Sequence, residues 1–212
     1  MILSRLWYGI FAFLCIAIAL VSTRVFFLPV DVVMPNMLGY VTSMPIGLWG
    51  HLIFAPLAMV LVPVQLSTRL RARWPRIHRV SGYVSGVAIL VAGLSSLGLA
   101  VTFEGSDWAR TGFALLGLMW IGFTAIGISY AIRGDYARHR AWMLRSIAMT
   151  GAAVTLRLIM PVLMANGWSV LETYDVTAWA SWGINLAIVE CWLRRRPALA
   201  KPAWPAQPGQ AS

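Results

Sequence analysis

"RLRARWPRIHRVSGYVSGVAILVAGLSSLGLAVT", residues 69–102, decides how the chain is read. Arg69, Arg71, Arg73, Arg76 and Arg79 crowd its start, and from Val80 to Thr102 there is no charge at all. A bilayer-spanning helix needs about 20 mostly apolar residues, and a basic cluster at one end is what flanks such a helix on its cytoplasmic side. The stretch therefore reads as a spanning helix with its arginines left in water.

Outward from it, the same alternation recurs. Six apolar stretches qualify: 6–28, 45–66, 78–102, 109–132, 141–165 and 177–193. Between them lie "PVDVVMPN", "RLRARWPR", "FEGSD", "RGDYARHR" and "NGWSVLETYD", rich in turn formers and charge. The expected fold is all-α: a polytopic membrane protein of six transmembrane helices, forming one domain over 1–196. The segment 197–212, Pro- and Ala-rich, is expected to be a disordered cytoplasmic tail. Near the N-terminus, Arg5 and "LWYGIFAFLCIAIALV" mimic a signal peptide. The small-x-small cleavage pattern is missing, so a retained first helix is expected.

Composition supports the bilayer as solvent. Of the 212 residues, 59% are hydrophobic and 11% charged, where a soluble domain carries about 25% charged residues. Cys15 and Cys191 lie in apolar segments and form no disulfide framework, and no metal-ligand spacing is present. The net charge of +10 would fit nucleic acid if the arginines lay together on one surface. They do not. With both termini inside, fourteen of the 17 Lys and Arg fall on the inner side, while Asp31, Glu104, Asp107, Glu172 and Asp175 fall outside. This is the positive-inside pattern of a multi-pass protein of the bacterial inner (plasma) membrane. The expected partner is a bilayer with anionic headgroups on the cytoplasmic face, with an unknown membrane protein as a further one, and not nucleic acid. Tryptophans mark both interfaces, with Trp7, Trp74, Trp142 and Trp192 near inner ends and Trp49, Trp108, Trp168, Trp179 and Trp182 near outer ends.

Polar residues inside spans each need a partner. At a rise of about 1.5 Å per residue, His51, Arg157 and Asn185 lie about 9–13 Å below the outer edge. If their helices adjoin, they form an outer-half polar pocket. Arg157 cannot lose its proton. Glu172 or Asp175 folding back, or a ligand carboxylate, would balance it. Nearer the inner side, Arg145 and Glu190 share a level and are expected to form a structural ion pair.

Two His-Arg pairs remain, in "RIHRVSGYVS" (76–85) and "ARHRAWMLRS" (137–146). Helices starting at Pro75 and after the N-cap Asp135 place His78 and His139 at one level of the inner interface, each followed by an arginine, Arg79 and Arg140. Such a pair is a candidate cofactor site. Two imidazoles can clamp a haem iron, and arginines suit propionates or a quinone headgroup. The shallow depth suits a lipid phosphate equally, and interfacial histidines with topology-setting arginines produce the same pattern with no ligand. Gly82, Gly86, Gly93, Gly98, Gly117, Gly122 and Gly127 favour close helix contact, and would also make room for a flat cofactor.

Taken together, "HLIFAPLAMVLVPVQLSTRLRARWPRIHRVSGYVSG", "RHRAWMLRSIAMTGAAVTLRL" and "WASWGINLAIVE" resemble a bacterial family of predicted membrane proteins, domain of unknown function 2306. The resemblance covers about 45–193. It rests on His51, Pro63, Gln65, Arg71, His78, Arg79, Gly82, Tyr83, His139, Arg140, Trp142, Met143, Arg145, Arg157, Asn185 and Glu190 in that order. A basic residue expected between Gly82 and Tyr83 is missing. A looser similarity, through "HRVSG", is to the b-type cytochrome and ferric reductase transmembrane superfamily, and implies bound haem. Three histidines exclude a second bis-histidine haem.

Three functions stay open at this level. One is a redox protein holding one haem b or a quinone. The second is a small transporter or lipid- or anion-binding protein using the outer pocket. The third is a non-catalytic membrane partner or assembly factor. No nucleophile triad, phosphate loop or paired carboxylate is present, so no catalytic residue is assigned.

Overall fold

The computed structural model describes residues 2–195, with side chains from Leu6 onward. The tail 197–212, with Lys201, lies outside the described residues, as does Arg196. Helix α1 (Ile2–Ser22) continues into a 3₁₀ turn, Thr23–Phe26. The connection that follows folds into two short helices, α2 (Val30–Val33) and α3 (Leu38–Ser43). Then come α4 (Pro45–Leu66), the short basic α5 (Thr68–Arg73), α6 (Pro75–Val101) and α7 (Asp107–Ile132). The chain ends with α8 (Tyr136–Thr150), α9 (Ala152–Ala165) and α10 (Val170–Arg194). The architecture is all-helical.

Among the described residues, five segments are long and apolar enough to cross a bilayer: Leu6–Phe26, Pro45–Leu66, Pro75–Val101, Asp107–Ile132 and Tyr136–Ala165. The last comprises α8 and α9 together. Helix α10 has the length, 25 residues, or about 37 Å at 1.5 Å per residue. Glu172, Asp175, Asn185 and Glu190 make it more polar than the other five.

Local chemistry sets the helix boundaries. Pro45 and Pro75 occupy first-turn positions, where the missing N–H costs no hydrogen bond. Ser106 and Asp135 cap α7 and α8 by accepting from the backbone N–H three residues on. Gly134, at φ 76°, takes the left-handed conformation that ends α7 and turns the chain straight into α8. The segment "NGWSVLETYD", read as a loop, is largely helical. Ser169 and Glu172 form a reciprocal capping box that starts α10 at Val170, seven residues before the expected 177. Hydrogen bonds from the Ser169 backbone and hydroxyl hold the Glu172 carboxyl below its ordinary range.

Helix α8 sits at the centre, meeting α4, α7, α9 and α10, while α1 packs on α4 and α9. The core joins Ala58, Ala88, Ile89, Ala92, Trp120, Ala148 and Met149. Trp182, expected at an interface, packs against this cluster instead. Its indole N–H donates to the Ala178 carbonyl at 2.6 Å, so the ring needs no water. Glycines serve close approach. A Cβ on Gly93 would lie 2.6 Å from Ile121, and one on Gly112 would lie 2.9 Å from the backbone oxygen of Ala178. The basic-cluster ends of these helices are called the basic end below, and the opposite ends, with Asp107 and Asp175, the acidic end.

A backbone oxygen cannot swing away as a side chain can, so Gly112→Ala is expected to lower the thermal stability of the detergent-solubilised protein by about 1–3 kcal/mol. Gly122→Ala, with nothing within 4 Å of the new methyl, serves as the control and should be neutral or slightly stabilising by helix propensity.

Candidate functional site

At the basic end, α4 and α6 are tied by one side chain. The Gln65 amide donates to the Ser81 hydroxyl at 2.7 Å and to the His78 carbonyl at 3.2 Å. This fixes the first turns of α6, and with them the His78 side chain. His78 Nδ1 is shielded from solvent and has no hydrogen-bond partner among the described residues. Arg71, on α5, and His139, on α8, lie within electrostatic range of its ring.

His139 is anchored differently. Its Nδ1 lies 2.8 Å from the Gly127 carbonyl. A carbonyl only accepts, so Nδ1 carries the proton and Nε2 is left to face a ligand. The approach is allowed because position 127 is glycine: a Cβ there would lie 2.7 Å from the Met143 sulfur. His78 and His139 are thus within electrostatic range of each other. The two neighbouring arginines do not join them in the same way. Arg79 and Arg140 are exposed, and the Arg140 guanidinium lies over the Trp192 ring at 5.9 Å. The arginine within electrostatic range of His78 is Arg71.

One turn further along α8, Arg145 and Glu190 form a two-point ion pair, with Nε to Oε1 at 2.5 Å and Nη2 to Oε2 at 3.1 Å. The guanidinium also covers the Trp142 ring at 4.7 Å. It joins α8 to α10, and both side chains are partly buried.

Deeper in the bundle runs a seam of hydroxyls that the residue pattern did not single out. Thr124 and Ser146 share a hydrogen bond of 2.7 Å, and the Trp120 indole N–H donates to Thr150 at 2.9 Å. All four residues are buried. The available signal was Ser146 and Thr150, spaced by four on one face of α8, opposite Trp120 and Thr124 with the same spacing on α7.

Asn185, expected in an outer pocket with His51 and Arg157, makes its hydrogen bonds to the α8–α9 junction. Its amide donates to the Ala148 carbonyl at 3.1 Å, and its oxygen accepts from Thr155 at 2.8 Å. These contacts bracket Gly151, where α8 gives way to α9. One donor and one acceptor site of the carboxamide are spent in bridging that break.

Arg157 lies two residues beyond Thr155. Nη1 donates to its own helix at Ala153 O, 3.2 Å, and Nη2 reaches Ser22 Oγ at 3.5 Å. His51, Tyr174 and Arg24 are within electrostatic range of it. His51 Nδ1 donates to the Ala92 carbonyl at 3.2 Å, joining α4 to α6. The acids expected to fold back do not reach Arg157. Glu172 is held in its capping box, and Asp175 accepts from the Ser106 hydroxyl. Among the described residues no carboxylate pairs with Arg157, and no group of His, Cys, Asp and Glu is arranged to hold a metal.

Long apolar helices with polar side chains satisfied across their contacts define an all-helical, multi-span membrane protein. Residues 48–193 match the model of the predicted membrane protein family DUF2306, and the chain belongs to that family. No curated protein and no solved structure matches it significantly, so the likeness to b-type cytochromes and ferric reductases gains no support.

Removing one partner of a buried ion pair costs about 3–5 kcal/mol, and the partial exposure of this one lowers the figure. Glu190→Gln is expected to reduce thermal stability by about 2 kcal/mol. The double variant Arg145→Met, Glu190→Leu should recover most of that loss, since neither charge is then stranded. Melting curves of the two variants in the same detergent decide the point.

Proposed function

We propose that the chain is a six-span protein of the bacterial inner membrane, with both termini cytoplasmic, that holds a quinone headgroup at His78 and His139. The arginine distribution supports the orientation, and the length of α10 supports a sixth crossing. The single observation that carries the ligand is the His78 ring. An imidazole nitrogen kept from water with no partner costs about 1–3 kcal/mol, and a ligand oxygen would remove that cost.

The polar surroundings fit a quinone. Its two carbonyl oxygens need hydrogen-bond donors near the interface, and its tail needs lipid. A bound quinone supplies two-electron, two-proton chemistry. The chain's own part is to orient the ring, to donate to a carbonyl oxygen from His78 Nδ1 beside the fixed charge of Arg71, and to offer His139 Nε2 as the nitrogen that accepts from a quinol hydroxyl. Haem b fits less well. It needs a flat slot between the two imidazoles, and side chains occupy the faces of the nearby glycines: Gln65 at Gly82, Ile128 at Gly86 and Met143 at Gly127.

Short-tailed ubiquinone added to the purified protein should quench tryptophan fluorescence saturably. His78→Ala and His139→Ala should each weaken that binding by about tenfold, the equivalent of about 1.4 kcal/mol. Equal quenching in wild type and both variants refutes the site. A Soret shift in the reduced-minus-oxidised spectrum would replace quinone by haem. Orientation is checked separately. A C-terminal fluorescent-protein fusion should fluoresce and an alkaline phosphatase fusion at the same point should be inactive.

A further inference from the structure

We infer that Arg157, with His51 and Arg24 beside it, forms a second site that binds a monocarboxylate within the acidic-end half of the bundle. This site shares no residue with the His78–His139 pair and stands whether or not that pair binds a quinone.

Arg157 lies nine residues before Asn166, about 13 Å from the end of its helix. An arginine at that depth often escapes cost by snorkelling toward the headgroups. Side chains on a helix tilt toward its N-terminus, and for α9 that direction leads to mid-membrane. The hydrogen bond from Nη1 to Ala153 O holds the guanidinium over the preceding turn, away from the nearer surface. The guanidinium is therefore held between the α9 backbone at Ala153 and the end of α1 at Ser22.

A guanidinium has five N–H donors. Two of Arg157's are engaged, one by Ala153 O at 3.2 Å and one by Ser22 Oγ at 3.5 Å. Both acceptors are neutral. Three donors are left without acceptors among the described residues, in a side chain that is exposed and so open to a ligand.

Contacts converge on one locality. Ser22 precedes Arg24 by two residues, and the Phe26 ring stacks on Trp49 at 6.0 Å, two residues before His51. Arg24, whose Nη2 donates to Val33 O at 3.5 Å, lies within electrostatic range of Arg157, as does His51, while Glu172 and Asp175 are engaged elsewhere. With Nδ1–H given to Ala92, a neutral His51 has only the Nε2 lone pair left, so it lines the locality and leaves the donating to the guanidinium of Arg157. A cationic locality at membrane depth with free forked donors matches the two oxygens of a carboxylate. A single negative charge balances a single guanidinium, which favours a monocarboxylate. Its source is either an amphipathic acid from the bilayer or a small soluble acid, and both present the same headgroup.

The test uses the full chain in phosphatidylcholine nanodiscs and isothermal titration with two probes, dodecanoate and butyrate. Saturable binding of at least one probe is expected, and Arg157→Gln should weaken it at least tenfold. Tighter binding of dodecanoate assigns the bilayer source, and butyrate binding as tight or tighter assigns the soluble one. Arg157→Lys keeps the charge and removes the fork, so it serves where Arg157→Gln does not accumulate, and it should weaken binding several-fold. No saturable heat with either probe overturns the proposal, as does wild-type affinity in the substituted protein. Unchanged affinity for these acids in His78→Ala keeps this result distinct from the basic-end site.

Discussion

Inside a bilayer there is no water to complete a hydrogen bond, and that constraint governs the rest of this structure. It is most visible at Gly151. The break between α8 and α9 falls in the middle of a 30-residue crossing, where an open backbone carbonyl would be costly. Asn185 closes the gap from α10, donating to Ala148 while Thr155 donates to it. A Cβ at position 151 would come within 3.2 Å of the Asn185 amide. Glycine permits the approach, and the carboxamide then makes the interruption tolerable. The position of α10 follows from that contact and from the Arg145–Glu190 pair below it.

The same constraint sorts the charges. Arg145 answers it with a carboxylate, two hydrogen bonds and a tryptophan face. Asp175 and Glu172 answer it with hydroxyls at the acidic end, where Trp108 and Trp179 stack at 4.5 Å over the junction of α7 and α10. Arg157 has only a carbonyl and a hydroxyl. That contrast between two arginines on the two halves of one broken crossing separates a structural charge from one available to a ligand.

The alternation of arginine clusters with apolar runs made the helical, membrane-spanning character legible, because both follow from composition over windows of about 20 residues. The Arg145–Glu190 contact could be anticipated from depth alone, since each helix rises at a fixed rate. Depth was not enough for Asn185. It lies near the level of Arg157, but level says nothing about which face of α10 it occupies. Nor could it show that "NGWSVLETYD" carries a capping box, which converts an apparent loop into two helical turns and commits Glu172 locally. The hydroxyl seam of Thr124, Ser146, Thr150 and Trp120 escaped notice for a related reason. Thr and Ser in an apolar run look unremarkable until two such faces meet.

His78 and His139 illustrate the limit of positional symmetry. Both are the fourth residue of a helix that starts at the basic end, and on a linear reading they are equivalents. The neighbours that each helix packs against make them different. Gly127 lets α8 come close enough for its carbonyl to accept a hydrogen bond from His139 Nδ1–H, which fixes the tautomer and the ring orientation. His78 sits where Gln65 has already taken the backbone carbonyl and the Ser81 hydroxyl, so its Nδ1 is enclosed without a partner. One imidazole is anchored and presents a defined nitrogen, while the other is held by its helix and left unsatisfied. A ligand that accepts from one ring and meets the other would remove that asymmetry. The surrounding positive charge of Arg71 would favour one carrying electron-rich oxygen.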